Sequence, residues 1–522
     1  MKKLRIGILE VLYNTPADTM YAKIMRVNTA GIMPQVLAVW LEQAGHEVHI
    51  THYSGPQNLF QDLPEDLDVI FFSAFTTSAQ VAYALSNYYR SKGVITVLGG
   101  PHARSYPEDC AKYFDYVLGF TDRKLAEDVV HFRSNKDTGG VYLSAEGQPA
   151  ELPSLQERWK FAERLLSKAH FLKIVPMIGS LGCPYKCSFC IDSEVNYQPL
   201  SFDQLKSDLR FLLTKFKKPV VGWHDPNFGI RFEDYLGAIE ESVPKGRMTF
   251  IAESSMSLLT EQNVKRMKEN GFSVMLPGIE SWFDMGNKSR MRKTLGLEKL
   301  HRISEQVNMI QEHIPYMQAN FVLGLDMDEG DEPFELTKQF VDLCPGVFPT
   351  YNLLTSYGRS VPLNLTYQQD ERLIHSPFHL MNNDKIMNVK PKNYEWPEFY
   401  KKLLSLFEHT FSKKAVANRF ISNKGFPIKM MNFFRANTQG KRHIQYYKDI
   451  IHLLENDRKF RAFYEGETSE IPDYFKNMIN ENLGPLAEWL PDGAMNHDPY
   501  AYLKSVESDT NKLYQPGVMV GS

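Results

Sequence analysis

Three of the chain's five cysteines fall within eight residues, in Gly182-Cys183-Pro184-Tyr185-Lys186-Cys187-Ser188-Phe189-Cys190. Thiolates at i, i+4 and i+7 of one loop can each take a different iron of a cubane. The fourth iron is then left open to a chelating ligand. A zinc knot is the competing reading. It needs a fourth Cys or His at suitable spacing, and none lies close. Cys110 and Cys344 stand alone and read as buried thiols. Sparse, odd-numbered cysteines argue against a disulfide framework and fit a reducing compartment.

The elements around this loop set where its chemistry sits. Strands are expected at Ile174–Ile178, Val220–Trp223, Thr249–Ala252, Ser273–Leu276, Met317–Leu323 and Thr350–Leu354. Helices such as Phe202–Lys215, Thr260–Asn270 and Leu297–His313 fall between them. Six units of this kind suit a partial (β/α)6 barrel, whose active groups belong on the loops after the strands. The cysteine loop follows the first strand. His224, Asp225 and Asn227 follow the second, Glu253 and Ser254 the third, and Glu280 the fourth. Gln318 and Asn320 lie on the fifth strand, and Tyr357 follows the sixth. Each has a plainer reading: a solvated Asp-Pro turn for Asp225, a satisfied structural imidazole for His224, packing for Tyr357.

A separate alternating series precedes the barrel. Strands at Leu4–Leu9, Glu47–Thr51, Asp68–Ser73, Val94–Leu98 and Tyr116–Gly119 alternate with helices such as Pro34–Ala44 and Ala79–Lys92. This predicts a doubly wound, flavodoxin- or Rossmann-like parallel sheet over 1–135, with ligands at the carboxyl ends of the strands. Gly99 and Gly100 lie there and let backbone approach a large planar ring, although they could equally end a strand. Ser73, Thr76 and Thr77 offer hydroxyls at the neighbouring strand end, or a helix cap. Residues 136–172 read as a linker with a small hairpin, 173–385 as the barrel, and 386–522 as a mainly helical domain whose aromatic pairs read as core.

At 522 residues, two to four domains are expected. A net charge of −3 gives no general attraction to nucleic acid or anionic lipid. The opening apolar run ends at Glu10, too soon for a signal peptide. No stretch approaches the about 18 apolar residues a spanning helix needs, so the expectation is a cytoplasmic protein with no membrane span.

The cysteine loop, with Phe189 before its third cysteine, resembles the signature of the radical S-adenosylmethionine superfamily. Leu98-Gly99-Gly100-Pro101-His102-Ala103, with Ser73-Ala74-Phe75-Thr76-Thr77 before it, resembles the cobalamin-binding half of that superfamily's cobalamin-dependent, methyltransferase-like branch. Asp225-Pro226-Asn227-Phe228, Pro277-Gly278-Ile279-Glu280-Ser281 and Thr355-Ser356-Tyr357-Gly358 resemble its barrel loops. The likeness covers roughly residues 1–390. It implies a 4Fe–4S cluster on Cys183, Cys187 and Cys190. It also implies S-adenosylmethionine against Phe189, Asp225, Asn227, Glu280, Gln318 and Asn320. Cobalamin is implied against Ser73, Phe75, Thr76, Thr77, Gly99, Gly100, Pro101 and His102, with Tyr357 and His224 as candidate catalytic groups. The sequence departs from many corrinoid proteins in one respect. Their Asp-x-His-x-x-Gly loop is absent, and Val11-Leu12-Tyr13-Asn14-Thr15 holds no histidine for cobalt. Phe75 or Tyr13 is a candidate to cover the ring's lower face.

The implied activity is transfer of methyl from methylcobalamin to an unactivated carbon, after a 5′-deoxyadenosyl radical has removed a hydrogen atom. A rearrangement or cyclisation using both cofactors without net methylation is the alternative. A non-catalytic corrinoid carrier or sensor is the reading from another class, and it would have no use for the three cysteines. The implied partners are a small-molecule, lipid or peptide substrate and an external electron donor such as flavodoxin or ferredoxin, with no nucleic acid.

Overall fold

The computed structural model describes residues 2–501 apart from 16–19, 29, 54, 56–61, 135–138, 170, 194 and 284–294. The first sheet contains β1 (Arg5–Val11), β2 (Glu47–Tyr53), β3 (Val69–Ala74), β4 (Ile95–Gly99), β5 (Tyr116–Leu118) and β6 (Val141–Leu143). Its order is β2-β1-β3-β4-β5-β6, with every neighbouring pair parallel. Both faces are covered, because β3 sends Val69 and Phe71 into one core and Ile70 and Phe72 into another. Strand order reverses between β1 and β3, so their carboxyl ends open the crevice in which such sheets take ligands. Register sets Ser73 beside both Glu10 and Gly99, which brings three strand ends to one level.

Residues 136–172 differ from the hairpin expected of them. β6 joins the edge of β5 in parallel, and the helix Leu155–Leu166 buries Phe161 and Leu165 in the first sheet's core. Three-residue β6 is too short to show a periodicity, and its sheet partner lies more than twenty residues earlier.

The second sheet starts with β7 (Ile174–Met177). It continues through β10 (Val220–Trp223), β11 (Thr249–Ala252), β12 (Phe272–Met275), β13 (Gly278–Glu280), β14 (Tyr316–Leu323) and β15 (Phe348–Leu353). Between β7 and β10 lie two short strands, β8 (Ser180–Leu181) and β9 (Gln198–Pro199). β12 and β13 pair with successive parts of β14, so they act as one strand broken at Leu276-Pro277. All pairs between the main strands are parallel and run in chain order, which gives an open six-unit barrel. Burial alternates along β14: Met317, Ala319, Phe321 and Leu323 pack into the core, and Gln318, Asn320 and Val322 are only partly covered.

Helices Trp396–Thr410 and Lys441–Asn456 extend the barrel's core with Phe399, Tyr400, Phe407 and Tyr447. The chain then returns to the first domain. Helix Asp473–Leu483 contributes Phe475 to the barrel core, and Ile479 and Leu483 to the core beneath β3 and β4. Direct bonds also hold the two sheets together: Asn14 Nδ2 donates to His379 O (2.8 Å), Ser105 Oγ to Ser360 Oγ (3.0 Å) and Tyr106 Oη to Ser356 O (3.2 Å). Among the described residues, no helix is long and apolar enough to cross a membrane.

Candidate functional site

The cysteine loop is held at its base. β8 and β9 pair antiparallel, Ser180 opposite Pro199 and Leu181 opposite Gln198, which brings the two ends of the loop together. Gly182 follows with φ +66°, and a Cβ there would meet the Asn196 carbonyl oxygen at 2.5 Å. Only glycine fits that position. Inside the loop, Cys190 N donates to Cys187 O (3.0 Å) and Asp192 N to Cys190 Sγ (3.5 Å). Such N–H groups on sulfur tune a cluster's potential. Cys183, Cys187 and Cys190 are all half-buried. Among the described residues no three ligating side chains converge as one ion requires. A cubane makes no such demand, since each thiolate takes its own iron. The three thiols of one pinned loop therefore fit the cluster.

Asp225 supports this loop from below. Its carboxylate is 1% exposed and accepts from Gly179 N (3.0 Å), Ser180 Oγ (2.7 Å) and Tyr235 Oη (2.5 Å). Burial raises its carboxyl above the ordinary value in spite of those donors. Sequence reasoning set Asp225 against S-adenosylmethionine. The structure instead commits it to the turn that carries β7 into the cysteine loop. Asn227 is committed in a similar way: it accepts from Ser255 N (3.2 Å) and donates to Ser255 Oγ (3.3 Å), joining the loops after β10 and β11.

Beside the cysteine loop lies a cavity of about 1320 Å³, larger than the ~300–1,000 Å³ of an ordinary small-molecule pocket. Three parts of the chain wall it. Phe189, Cys190, Glu280 and Asn352 come from the barrel. From the first sheet come Leu12, Tyr13 and Asn14 after β1, and Phe75, Thr76, Thr77 and Pro101 after β3 and β4. The Arg26 guanidinium lies 4.5 Å from the centre of the Tyr13 ring. Ser73, Gly99 and Gly100 sit at the strand ends beside this wall. Gly100 has φ +91°, and a Cβ on it would stand 3.1 Å from Ala74 O and 3.2 Å from Ala74 N. Glycine here lets the end of β4 close on the end of β3, and the neighbouring Phe75, Thr76, Thr77 and Pro101 are left facing a cavity large enough for a broad planar ring such as a corrin. His102 is not among the residues that line the cavity. It is wholly buried, with Nε2 2.6 Å from Tyr83 Oη and Nδ1 3.4 Å from Thr76 Oγ1, and burial, then His497, lowers it to about 3. Its neutral imidazole is held between Tyr83 and Thr76, behind the residues that line the cavity.

On the barrel side, Glu280 takes the left-handed region at φ +65°. Glu253 is open to solvent at the barrel mouth but has protein around most of it. That enclosure, followed by the charge of Glu280, raises it to about 7. Gln318 Nε2 donates to Asn320 Oδ1 (2.9 Å), which also accepts from Thr350 Oγ1 (2.5 Å). Arg435 reaches in from the helical domain, donating to Gln318 Oε1 (2.9 Å) and Tyr316 Oη (2.5 Å). The His224 ring makes no side-chain hydrogen bond among the described residues, so nothing there completes the proton relay considered for it. Tyr357 lines the cavity and donates to Met381 O (3.1 Å) and to Asn383 Oδ1; burial raises its phenol far above the ordinary value. It stays a neutral donor, engaged with the wall.

The third wall comes mostly from the helical C-terminal region, through residues that the sequence reading did not single out. A π-helical turn, Ala436–Gly440, points Thr438 and Gln439 at the cavity, a local geometry often found at functional sites. His443 follows, with Nε2 2.9 Å from Asp384 Oδ2 and Nδ1 2.8 Å from Gln439 O. Lys385, Arg442 and Asn482 complete this polar wall.

Comparison with known proteins agrees with this arrangement. The B12 binding domain family matches residues 28–129, and the Radical SAM superfamily matches 177–333. Among curated relatives, the bacteriochlorophyllide d C-12(1)-methyltransferase of Chlorobaculum tepidum is 23% identical over 304 residues, 56% of this chain and 65% of that protein. The chain thus spans slightly less than two thirds of that relative. The C-8(2)-methyltransferase of the same organism is 24% identical over 391 residues, 70% of this chain and 82% of the relative. A solved structure of OxsB, described as a cobalamin-dependent S-adenosylmethionine radical enzyme, aligns with TM-score 0.56 at 14% identity, over 100% of this chain and 82% of the other.

Proposed function

Since the chain belongs to the cobalamin-dependent radical S-adenosylmethionine enzymes, we propose that it is a methyltransferase acting on an unactivated carbon of its substrate. The observation that carries this reading is the shared cavity: Cys190 of the cluster loop and Phe75, Thr76 and Pro101 of the first sheet line one space. When bound, the cluster supplies the electron that cleaves S-adenosylmethionine, and the corrin supplies the methyl group. The chain's own residues hold and enclose these groups. Cys183, Cys187 and Cys190 would ligate the cluster, and the β8–β9 ribbon and Asp225 fix the loop that presents it. Glu280, with Phe189 and the Gln318–Asn320 pair, would hold S-adenosylmethionine, and the carboxylates Glu280 and Glu253 suit its positive charge. Ser73, Phe75, Thr76, Thr77, Gly99, Gly100 and Pro101 would form the corrin seat, and Tyr13 or Phe75 would cover its lower face. The wall formed by Tyr357, Asp384, Gln439 and His443 would orient the substrate.

In this reading residues 1–135 carry cobalamin, 173–385 carry the cluster, and 386–522 close the substrate side, with 136–172 packed between the first two. An external flavodoxin- or ferredoxin-like donor would reach the cluster through the exposed Pro184 and Lys186 of its loop. Cys110 and Cys344 are buried free thiols, which suits a cytoplasmic location.

The test is anaerobic turnover of reconstituted protein with S-adenosylmethionine carrying a deuterated methyl group, read by product mass. Retained label is the expected result. Cleavage of S-adenosylmethionine with no label in any product would replace this reading with a rearrangement.

A further inference from the structure

Two helices of the C-terminal region are built inside out. In Phe426–Arg435 the fully buried residues are Asn432 and Arg435, and the outer face carries Phe426 (70% exposed), Phe433 (41%) and Phe434 (44%). Positions i, i+7 and i+8 share one side of a helix, so these rings form a single stripe. In the preceding helix, Lys413–Ser422, the buried residue is Arg419, and Ile421 is 73% exposed. A surface helix in water shows the opposite pattern. The two inward guanidinium groups are engaged, Arg435 with Tyr316 and Gln318 and Arg419 Nε with Val347 O (2.9 Å), whereas the buried Asn432 amide has no hydrogen-bond partner among the described residues. Their burial therefore fixes which way the helices face, and the apolar stripe is left outside.

The charge of this region is equally one-sided. Between Glu408 and Asp449 there is no acidic residue, while nine Lys and Arg occur. Lys413, Lys414, Lys424, Lys429 and Lys441 make no ion pair among the described residues. The chain's overall charge of −3 conceals this face.

We propose that the helices Lys413–Ser422 and Phe426–Arg435 dock the protein on an anionic lipid surface. Exposed aromatic and aliphatic side chains ringed by lysines, on helices with no neutralising carboxylate, match the apolar boundary and the anionic headgroups of a bilayer together. A partner protein would have to offer an apolar groove rimmed by acids in the same outline; a bilayer offers both features without a fixed outline. The stripe runs directly into the π-helical turn whose Thr438 and Gln439 line the cavity. Docking would thus bring that wall close to the membrane, where an apolar substrate is concentrated.

The test is co-sedimentation of the reconstituted protein with vesicles of phosphatidylglycerol and phosphatidylcholine, and with phosphatidylcholine alone. Binding to the anionic vesicles is expected. It should fall about tenfold or more in Phe426→Ser/Phe433→Ser and in Lys413→Glu/Lys414→Glu/Lys424→Glu, and weaken with added salt. Phe426→Trp provides a second measurement with the fold preserved, and its emission should shift to the blue on anionic vesicles only. No co-sedimentation, an unshifted tryptophan, or wild-type self-association abolished by Phe426→Ser would each overturn the proposal. Lipid binding is read without turnover, so a failed methyl-transfer assay and a failed docking assay are separate results.

Discussion

His443 ties the cavity wall to the barrel, with Nε2 2.9 Å from Asp384 Oδ2 and Nδ1 2.8 Å from Gln439 O. The ring, 59 residues along the chain from Asp384, thereby links that carboxylate to the π-helical turn.

Removing His443 takes from the Asp384 carboxylate a side-chain hydrogen-bond partner. His443→Gln should cost about 2 kcal/mol in chemical unfolding. Burial raises the Asp384 carboxyl, and the charge and hydrogen bond of His443 more than offset it, leaving the group below its ordinary value. A depressed carboxyl stabilises above its unfolded-state value and loses that contribution as pH falls through the folded one. The gap between wild type and Asp384→Asn should therefore hold from pH 7 to 5 and close below about pH 4. Midpoints of denaturant curves across that range check it.

Asp225→Ala strands three buried donors at once: Gly179 N, Ser180 Oγ and Tyr235 Oη. A loss of about 3 kcal/mol is expected. Iron and sulfide per chain after anaerobic reconstitution should fall as well, because the turn feeding the cysteine loop is released. Tyr235→Phe removes one donor together with its hydroxyl, and should cost about 1 kcal/mol with near-normal iron.

Gly100→Ala should abolish cobalamin uptake. Its φ of +91° costs an alanine about 1–2 kcal/mol, and the new Cβ would crowd the Ala74 backbone at 3.1–3.2 Å. Gly93→Ala is the matched control. It has φ +79° with open space around it, so it should carry the backbone cost and keep the cofactor. Cobalamin retained after gel filtration separates the two.

The Glu253 carboxyl is raised to about 7 by its enclosure and then by Glu280. A raised group contributes stability below its unfolded-state value and loses it as pH climbs through the folded one. Glu253→Gln should therefore melt with wild type at pH 4 and above it at pH 8. If the two carboxylates take the cationic ligand, S-adenosylmethionine should bind wild type more tightly at pH 8 than at pH 6, and the variant should show less of that rise. Thermal melts and equilibrium dialysis test the two parts.

Much of this arrangement was legible in the sequence. The second and third barrel strands are short, largely apolar runs ended by polar residues, so the expected Val220–Trp223 and Thr249–Ala252 coincide with the observed strands. The cysteine spacing lies within one loop and needs no fold to be seen. Other features depend on distant parts of the chain. The two-residue strands β8 and β9 have no periodicity, and only their pairing makes them visible. Asp225 looks like a ligand until its donors arrive from residues 45 or more positions earlier. Asp384 and His443 are 59 residues apart, and each alone is an ordinary surface type. For His102, beside the glycine pair, sequence does not say which way a side chain turns at the start of a helix, and its contacts with Tyr83 and Thr76 come from residues 19 and 26 positions earlier.

The helix Asp473–Leu483 places Phe475 in one core and Ile479 and Leu483 in the other. Four residues separate these commitments, about one helical turn, so the helix cannot leave either core without loosening both. The two sheets thus share a latch, and their unfolding should merge into one cooperative event despite separate hydrophobic interiors. A protease cut just before Asp473 would divide that event into two, leaving a cavity whose walls could part.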